Sequence, residues 1–111
     1  MTDTQSYITA EIKTIVNAIL NAVPTLEIYL FGSYAMETAT QESDYDFYVV
    51  IPDDSGMRER EAVWAIRGSL VGKQKRSIDM LVGTQSKFNR RKDYIYSIEN
   101  VVAETGVKLY G

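Results

Sequence analysis

Apolar residues recur at three- and four-residue steps through Ile8, Ile12, Ile15, Val16, Ile19, Leu20 and Val23. That period predicts an amphipathic helix over about 6–22, with Pro24 helping to end it. Leu26–Phe31 (LEIYLF) then forms a short apolar and aromatic run stopped by Gly32, the pattern of a strand. A polar stretch follows from Ser33 to Ser43, in which Tyr34–Glu37 is a candidate short helix. Tyr45–Ile51 (YDFYVVI) reads as a second strand, closed by the turn residues Pro52-Asp53-Asp54-Ser55-Gly56. A second helix is expected over about 57–71, burying Val63, Trp64, Ile66 and Leu70, with Gly72 suited to its C-terminal cap. Ser77–Val82 (SIDMLV) is the third strand, and Thr84–Lys92 is polar and basic. A last helix over about 93–105 would carry Ile95, Ile98, Val101 and Val102 on one side, with Gly106 beyond its end and Val107–Tyr110 as a candidate terminal strand. The alternation of helices and strands predicts one α/β (α+β) domain over residues 1–111, a small mixed sheet of three to four strands packed by helices.

Composition narrows the chemistry. The chain has no cysteine and no histidine, which excludes a disulfide framework, a thiol nucleophile and any Ser-His-Asp or Cys-His catalysis. Carboxylates, hydroxyls, amines and guanidinium groups are left, and oxygen ligands favour a hard cation such as magnesium. No apolar run is long enough to cross a bilayer and the first ten residues lack a signal-peptide core, so a cytoplasmic location is expected. The formal charge of −3 conceals an asymmetry. Residues 1–54 hold nine acids against one base, and residues 55–111 hold eleven bases against six acids.

The segment with most chemical content is Gly32-Ser33, ten residues, then Asp44-Tyr45-Asp46 at the mouth of a strand. Side chains alternate along a strand, so Asp44 and Asp46 project from one face. Two nearby carboxylates repel unless a cation lies between them, which suits the pair to a divalent metal. Asp79 places a third carboxylate in an otherwise apolar strand, where an unpaired buried charge is costly and calls for a partner. Gly32 permits close backbone approach, and a helix starting at Ser33 would aim free N–H groups at an anion. For these groups to meet, strands one and two must be antiparallel, and strands two and three parallel through the helix between them.

Plainer roles exist for each residue. Asp44 and Asp46 are ordinary strand-opening turn residues, Ser33 an ordinary N-cap, and Asp79 half of an ion pair with Arg or Lys. Tyr29, Tyr45 and Tyr48 are typical strand aromatics, whereas Tyr34 adjoins the Gly32-Ser33 loop and is placed to stack or donate. The basic residues Lys73, Lys75, Arg76, Lys87, Arg90, Arg91 and Lys92 suit a solvated face, a triphosphate, an acidic partner or RNA. Sequence-specific nucleic-acid binding is the least expected of these, because the chain is acidic and lacks interleaved aromatics.

The run FGSYAMETATQESDYDFYVVI resembles the nucleotidyltransferase superfamily related to DNA polymerase β, whose signature is Gly-Ser, about ten residues, then Asp-x-Asp. The short length and the terminal GVKLYG look like its minimal bacterial and archaeal members, of the kind found in MNT/HEPN toxin–antitoxin pairs. The resemblance implies the nucleotidyltransferase fold, with Gly32, Ser33 and Tyr34 at the nucleotide triphosphate. It implies Asp44, Asp46 and Asp79 as catalytic residues and ligands of a two-ion Mg2+ site, with Asp79 on the acceptor side. The implied reaction transfers a nucleoside monophosphate, AMP from ATP or another NMP, to a hydroxyl with pyrophosphate leaving. The implied partner is a HEPN-type helical toxin offering that hydroxyl, in a homo- or hetero-oligomer. Family members often carry Arg where this chain has Tyr34 and Arg-Gly where it has Met36-Glu37. An antitoxin acting by contact, and the donor-site subunit of an aminoglycoside-type nucleotidyltransferase, are the alternative functions.

Overall fold

The computed structural model describes residues 9–73 and 75–111. Helix α1 spans Ala10–Ala22, and its N-terminus is capped by Thr9, whose hydroxyl accepts the Ile12 N–H at 3.2 Å. The first residues of the helix expected over 6–22 lie outside the described residues. Strand β1 is Glu27–Phe31 and β2 is Tyr45–Ile51. Helix α2 (Glu59–Leu70) connects β2 to β3 (Ile78–Thr84). Helices α3 (Gln85–Arg91) and α4 (Ile98–Thr105) precede β4 (Val107–Tyr110).

The sheet order is β3-β2-β1-β4. Strand β1 runs antiparallel to both β2 and β4, and β2 runs parallel to β3, which agrees with the expected mixed topology. Alternation along the strands creates two unlike faces. One carries Ile28, Leu30, Phe47, Val49, Ile51, Met80 and Val82 against α1 and α2, and it forms the larger core. Ser69 of α2 donates to the Ala18 carbonyl of α1 at 3.3 Å, tying these helices together. The opposite face carries Phe31, Tyr48 and Val50 against Phe88 of α3 and Val102 of α4.

Several expectations are corrected. Residues 34–37 form turns, not a helix: the Met36 N–H bonds to the Gly32 carbonyl and the Thr38 N–H to that of Ser33, so one coil closes and stops. Trp64 is 82% exposed, because α2 buries Ala62, Ile66 and Leu70, and a residue two positions from such a stripe points the other way. Val63 is half-buried. The basic stretch after β3 contains α3, and the last helix begins only at Ile98, leaving Ile95 75% exposed in the intervening turn. Ser97 sets that start, its hydroxyl accepting the Asn100 N–H at 2.9 Å.

Candidate active site

The β1/β2 and β2/β3 registers bring the chemistry together. Asp46 lies opposite Phe31 on β1, and on its other side opposite Asp79 on β3. Asp46 and Asp79 thus share the face that α3 and α4 cover further along. Asp46 is half-buried, and Asp79 is exposed. The cost assigned to burying Asp79 therefore does not arise: β3 is an edge strand whose Ile78, Met80 and Val82 point inward while Asp79 and Leu81 point outward.

Burial is the main cause that pushes Asp46 up to about 6, helped by a hydrogen bond with Asp79 and by the charges of Asp79 and Asp44. The ion pairs among the described residues join Lys87 to Glu59, Arg91 to Glu99 and Lys108 to Glu27, and none reaches Asp46 or Asp79. Asp44, exposed at the entrance to β2, influences Asp46 through its charge. Among the described residues no three acidic side chains converge closely enough to form a finished metal cage. The structure brings Asp46 and Asp79 together and leaves Asp44 at the rim.

Gly32 fits this site by its lack of a side chain. A Cβ there would fall 2.2 Å from the Asp46 Oδ2, and its φ of 74° is left-handed. The backbone of the Gly32-Ser33 turn is thus seated directly on the carboxylate. No helix starts at Ser33, so the expected helix N-terminus is replaced by the turn's own N–H groups. Glu37, in the same turn, adopts a left-handed φ of 61°, a conformation uncommon for residues other than glycine.

Tyr34 is engaged by protein groups. Its ring packs on Tyr45 with centroids 4.5 Å apart, and the Arg76 guanidinium lies over both rings at 5.6 and 5.8 Å. Arg76 also donates to the carbonyls of Gln41 and Ser43 at 2.5 and 3.3 Å. Glu11 of α1 accepts the Tyr45 hydroxyl at 2.9 Å and the backbone N–H groups of Lys75 and Arg76. Burial raises the Glu11 carboxyl, but these hydrogen bonds outweigh it and hold the group below its ordinary value. A cavity of about 420 Å³ opens here, walled by Glu11, Glu42, Ser43, Asp44, Lys75 and Arg76 among others.

A second polar cluster lies on the same sheet face. Tyr48, two residues beyond Asp46, donates to the buried Glu99 at 2.8 Å, and Arg91 Nε donates to the other Glu99 oxygen at 2.9 Å. Burial raises Glu99, but its bonds to Arg91 and Tyr48 prevail and lower it. The Tyr48 hydroxyl occupies the space a side chain at Gly83 would need, 2.1 Å from its Cβ position. Sequence reasoning missed this cluster. The available signal was an acid three residues before Val102, on the stripe of α4 that faces the sheet.

The nucleotidyltransferase domain family matches residues 11–106, and the chain belongs to that family. Solved structures share the fold. A toxin–antitoxin solved with AMP-PNP is 22% identical over 93% of this chain and 74% of that one, with a TM-score of 0.65. An Asp-to-Glu double mutant of the toxin–antitoxin MntA-HpeT is 21% identical over the same shares, with a TM-score of 0.64. A protein assigned as a nucleotidyltransferase from Sulfolobus solfataricus is 23% identical over 78% and 76%, with a TM-score of 0.58. No curated protein matches the chain. Among the described residues no helix is long and apolar enough to cross a membrane.

Proposed function

We propose that the chain transfers a nucleoside monophosphate, AMP from ATP, to a hydroxyl on a partner protein, and that it acts as the antitoxin of a toxin–antitoxin pair. The observation that carries this reading is the register pair Asp46–Asp79 set against Gly32, with Asp44 at its rim. Its donor set fits a divalent cation: two adjacent carboxylates, one held up to about 6 and neither in an ion pair with a basic side chain among the described residues. Asp46 and Asp79 would hold Mg2+, with Asp44 closing on it from the rim. Such ions, when bound, neutralise phosphate charge and lower the pKa of an attacking hydroxyl.

The chain's own groups supply the remainder. The Gly32-Ser33 turn, packed against Asp46 because Gly32 lacks a Cβ, would offer its backbone N–H groups to the triphosphate. The acceptor oxygen bonds to the α-phosphorus as the bond to the bridging oxygen breaks and pyrophosphate leaves. The hydroxyl proton passes to Asp79, the exposed member of the pair. The partner assignment rests on the fold shared with toxin–antitoxin structures, one of them solved with AMP-PNP. A HEPN-type helical toxin is the proposed acceptor.

The test is incubation with α-labelled ATP, Mg2+ and the co-purifying partner. Label is expected on the partner with the wild type and not with Asp46→Asn or Asp79→Asn. Full neutralisation of the partner by both variants, with no label transferred by the wild type, would contradict transfer and favour an antitoxin acting by contact.

A further inference from the structure

The three segments that carry the candidate site, namely the Gly32–Tyr34 turn, the approach to β2 and the start of β3, are separate in sequence, and one side chain touches all three. Arg76 stands three residues before Asp79 and stacks over Tyr34, the residue after Ser33. It stacks equally over Tyr45, between Asp44 and Asp46. Its Nη1 donates to the carbonyls of Gln41 and Ser43, which lead into Asp44. The segment it holds is already a tight turn: the Thr40 N–H donates to the Ser43 hydroxyl at 2.8 Å and the Ser43 N–H to the Thr40 carbonyl at 3.1 Å. Glu11 secures the other end of the clamp by accepting the Arg76 and Lys75 N–H groups and the Tyr45 hydroxyl.

We infer that Arg76 is the positioning residue that fixes Asp44 at the rim of the Asp46–Asp79 pair. It does so by locking residues 40–45 to the Gly32–Tyr34 turn. The inference rests on the nucleotidyltransferase reading for its catalytic consequence, though not for the clamp itself. The geometry needs arginine in particular. A guanidinium spreads its charge over a plane broad enough to sit over both rings while its N–H fork donates to two carbonyls, whereas the ammonium of lysine is a compact point charge without that fork. Asp44 itself is exposed, so its place depends on the segments on either side of it, the 40–43 turn and the buried Tyr45, which Arg76 joins.

The test compares wild type, Arg76→Lys and Arg76→Met in the full chain with its partner. Four quantities are measured: amide hydrogen exchange, Mn2+ affinity by electron paramagnetic resonance, and kcat and KM for label transfer. Both variants should lose protection at 40–45 while the β1–β2 ladder keeps its own. Mn2+ affinity and kcat should each fall about 10–100-fold, the usual effect of losing a group that orients a metal ligand, with a smaller change in KM for ATP. Arg76→Lys should recover little of either. A kcat and Mn2+ affinity within twofold of wild type in a folded Arg76→Met protein would overturn the inference, as would unchanged exchange at 40–45. If the wild type itself transfers no label, the nucleotidyltransferase reading fails, and the exchange data still decide whether Arg76 clamps this segment.

Discussion

Two acidic clusters stand two residues apart on the same face of β2, and they are built in opposite ways. Glu99 is buried but accepts from Tyr48 and Arg91, and its carboxyl is held below the ordinary value. Asp46 is less buried, faces a second carboxyl, and is pushed up to about 6. The first cluster is complete: its charge is answered within the chain, and its product is the attachment of α3 and α4 to the sheet. The second is incomplete in a particular sense, since two carboxylates meet and no ion pair among the described residues reaches either of them. A charge balance closed by protein marks a structural joint, whereas one left open marks a place for a positive ligand.

The largest test of this contrast is the loss of transfer in Asp46→Asn or Asp79→Asn. A bound ion contributes several kcal/mol to the transition state, so the rate should fall by about 10³ or more, while the fold persists by circular dichroism. Glu99→Ala should do the reverse. Arg91 is 41% exposed and can turn to water, but the buried Tyr48 hydroxyl loses its acceptor, which should cost about 2–3 kcal/mol in denaturant unfolding. Gly83→Ala is next, at about 2 kcal/mol, because the new methyl meets the Tyr48 hydroxyl. Adding Tyr48→Phe should recover part of that loss, which a double-mutant cycle measures.

The smallest effect separates the clusters by the sign of their pH dependence. Asp46 is raised from 3.8 to about 6, so the stability it contributes is full below pH 3.8 and is lost as pH rises through about 6. Glu99 is lowered, so its contribution is present above its unfolded-state pKa and is lost as pH falls through its folded one. Without divalent ions, Asp46→Asn should therefore unfold at higher temperature than wild type at pH 7. After discounting for solvent around Asp46, the gain is about 1 kcal/mol. Thermal unfolding between pH 3.5 and 7 checks both signs.

Much of this was legible in the sequence, and for physical reasons. The strands announce themselves as short apolar runs between glycines and polar turns. The need to bring Gly32, Asp46 and Asp79 together selects the antiparallel and parallel pairings that the sheet adopts. The same pattern misled where apolar residues are sparse or face outward. Helix α3 buries only Phe88, so it carries no period to read. Trp64 reads as core beside Val63, Ile66 and Leu70, although the Ala62, Ile66 and Leu70 stripe excludes it. Asp79 was treated as buried because its neighbours are apolar, yet strict alternation along an edge strand puts it outside. The Arg76 clamp and the Glu99 joint escaped because each joins residues far apart in sequence, up to 65 positions for Arg76 and Glu11. Composition marked those residues only as charges.

The central claim is that the open balance at Asp46–Asp79 is a divalent-cation site and the closed one at Glu99 is not. Mn2+ titration followed by electron paramagnetic resonance, on wild type, Asp46→Asn and Glu99→Gln with a non-hydrolysable ATP analogue present, addresses it most directly. The account predicts saturable binding by wild type and Glu99→Gln, and its loss in Asp46→Asn beyond what the free nucleotide retains. Equal binding by all three proteins would contradict it.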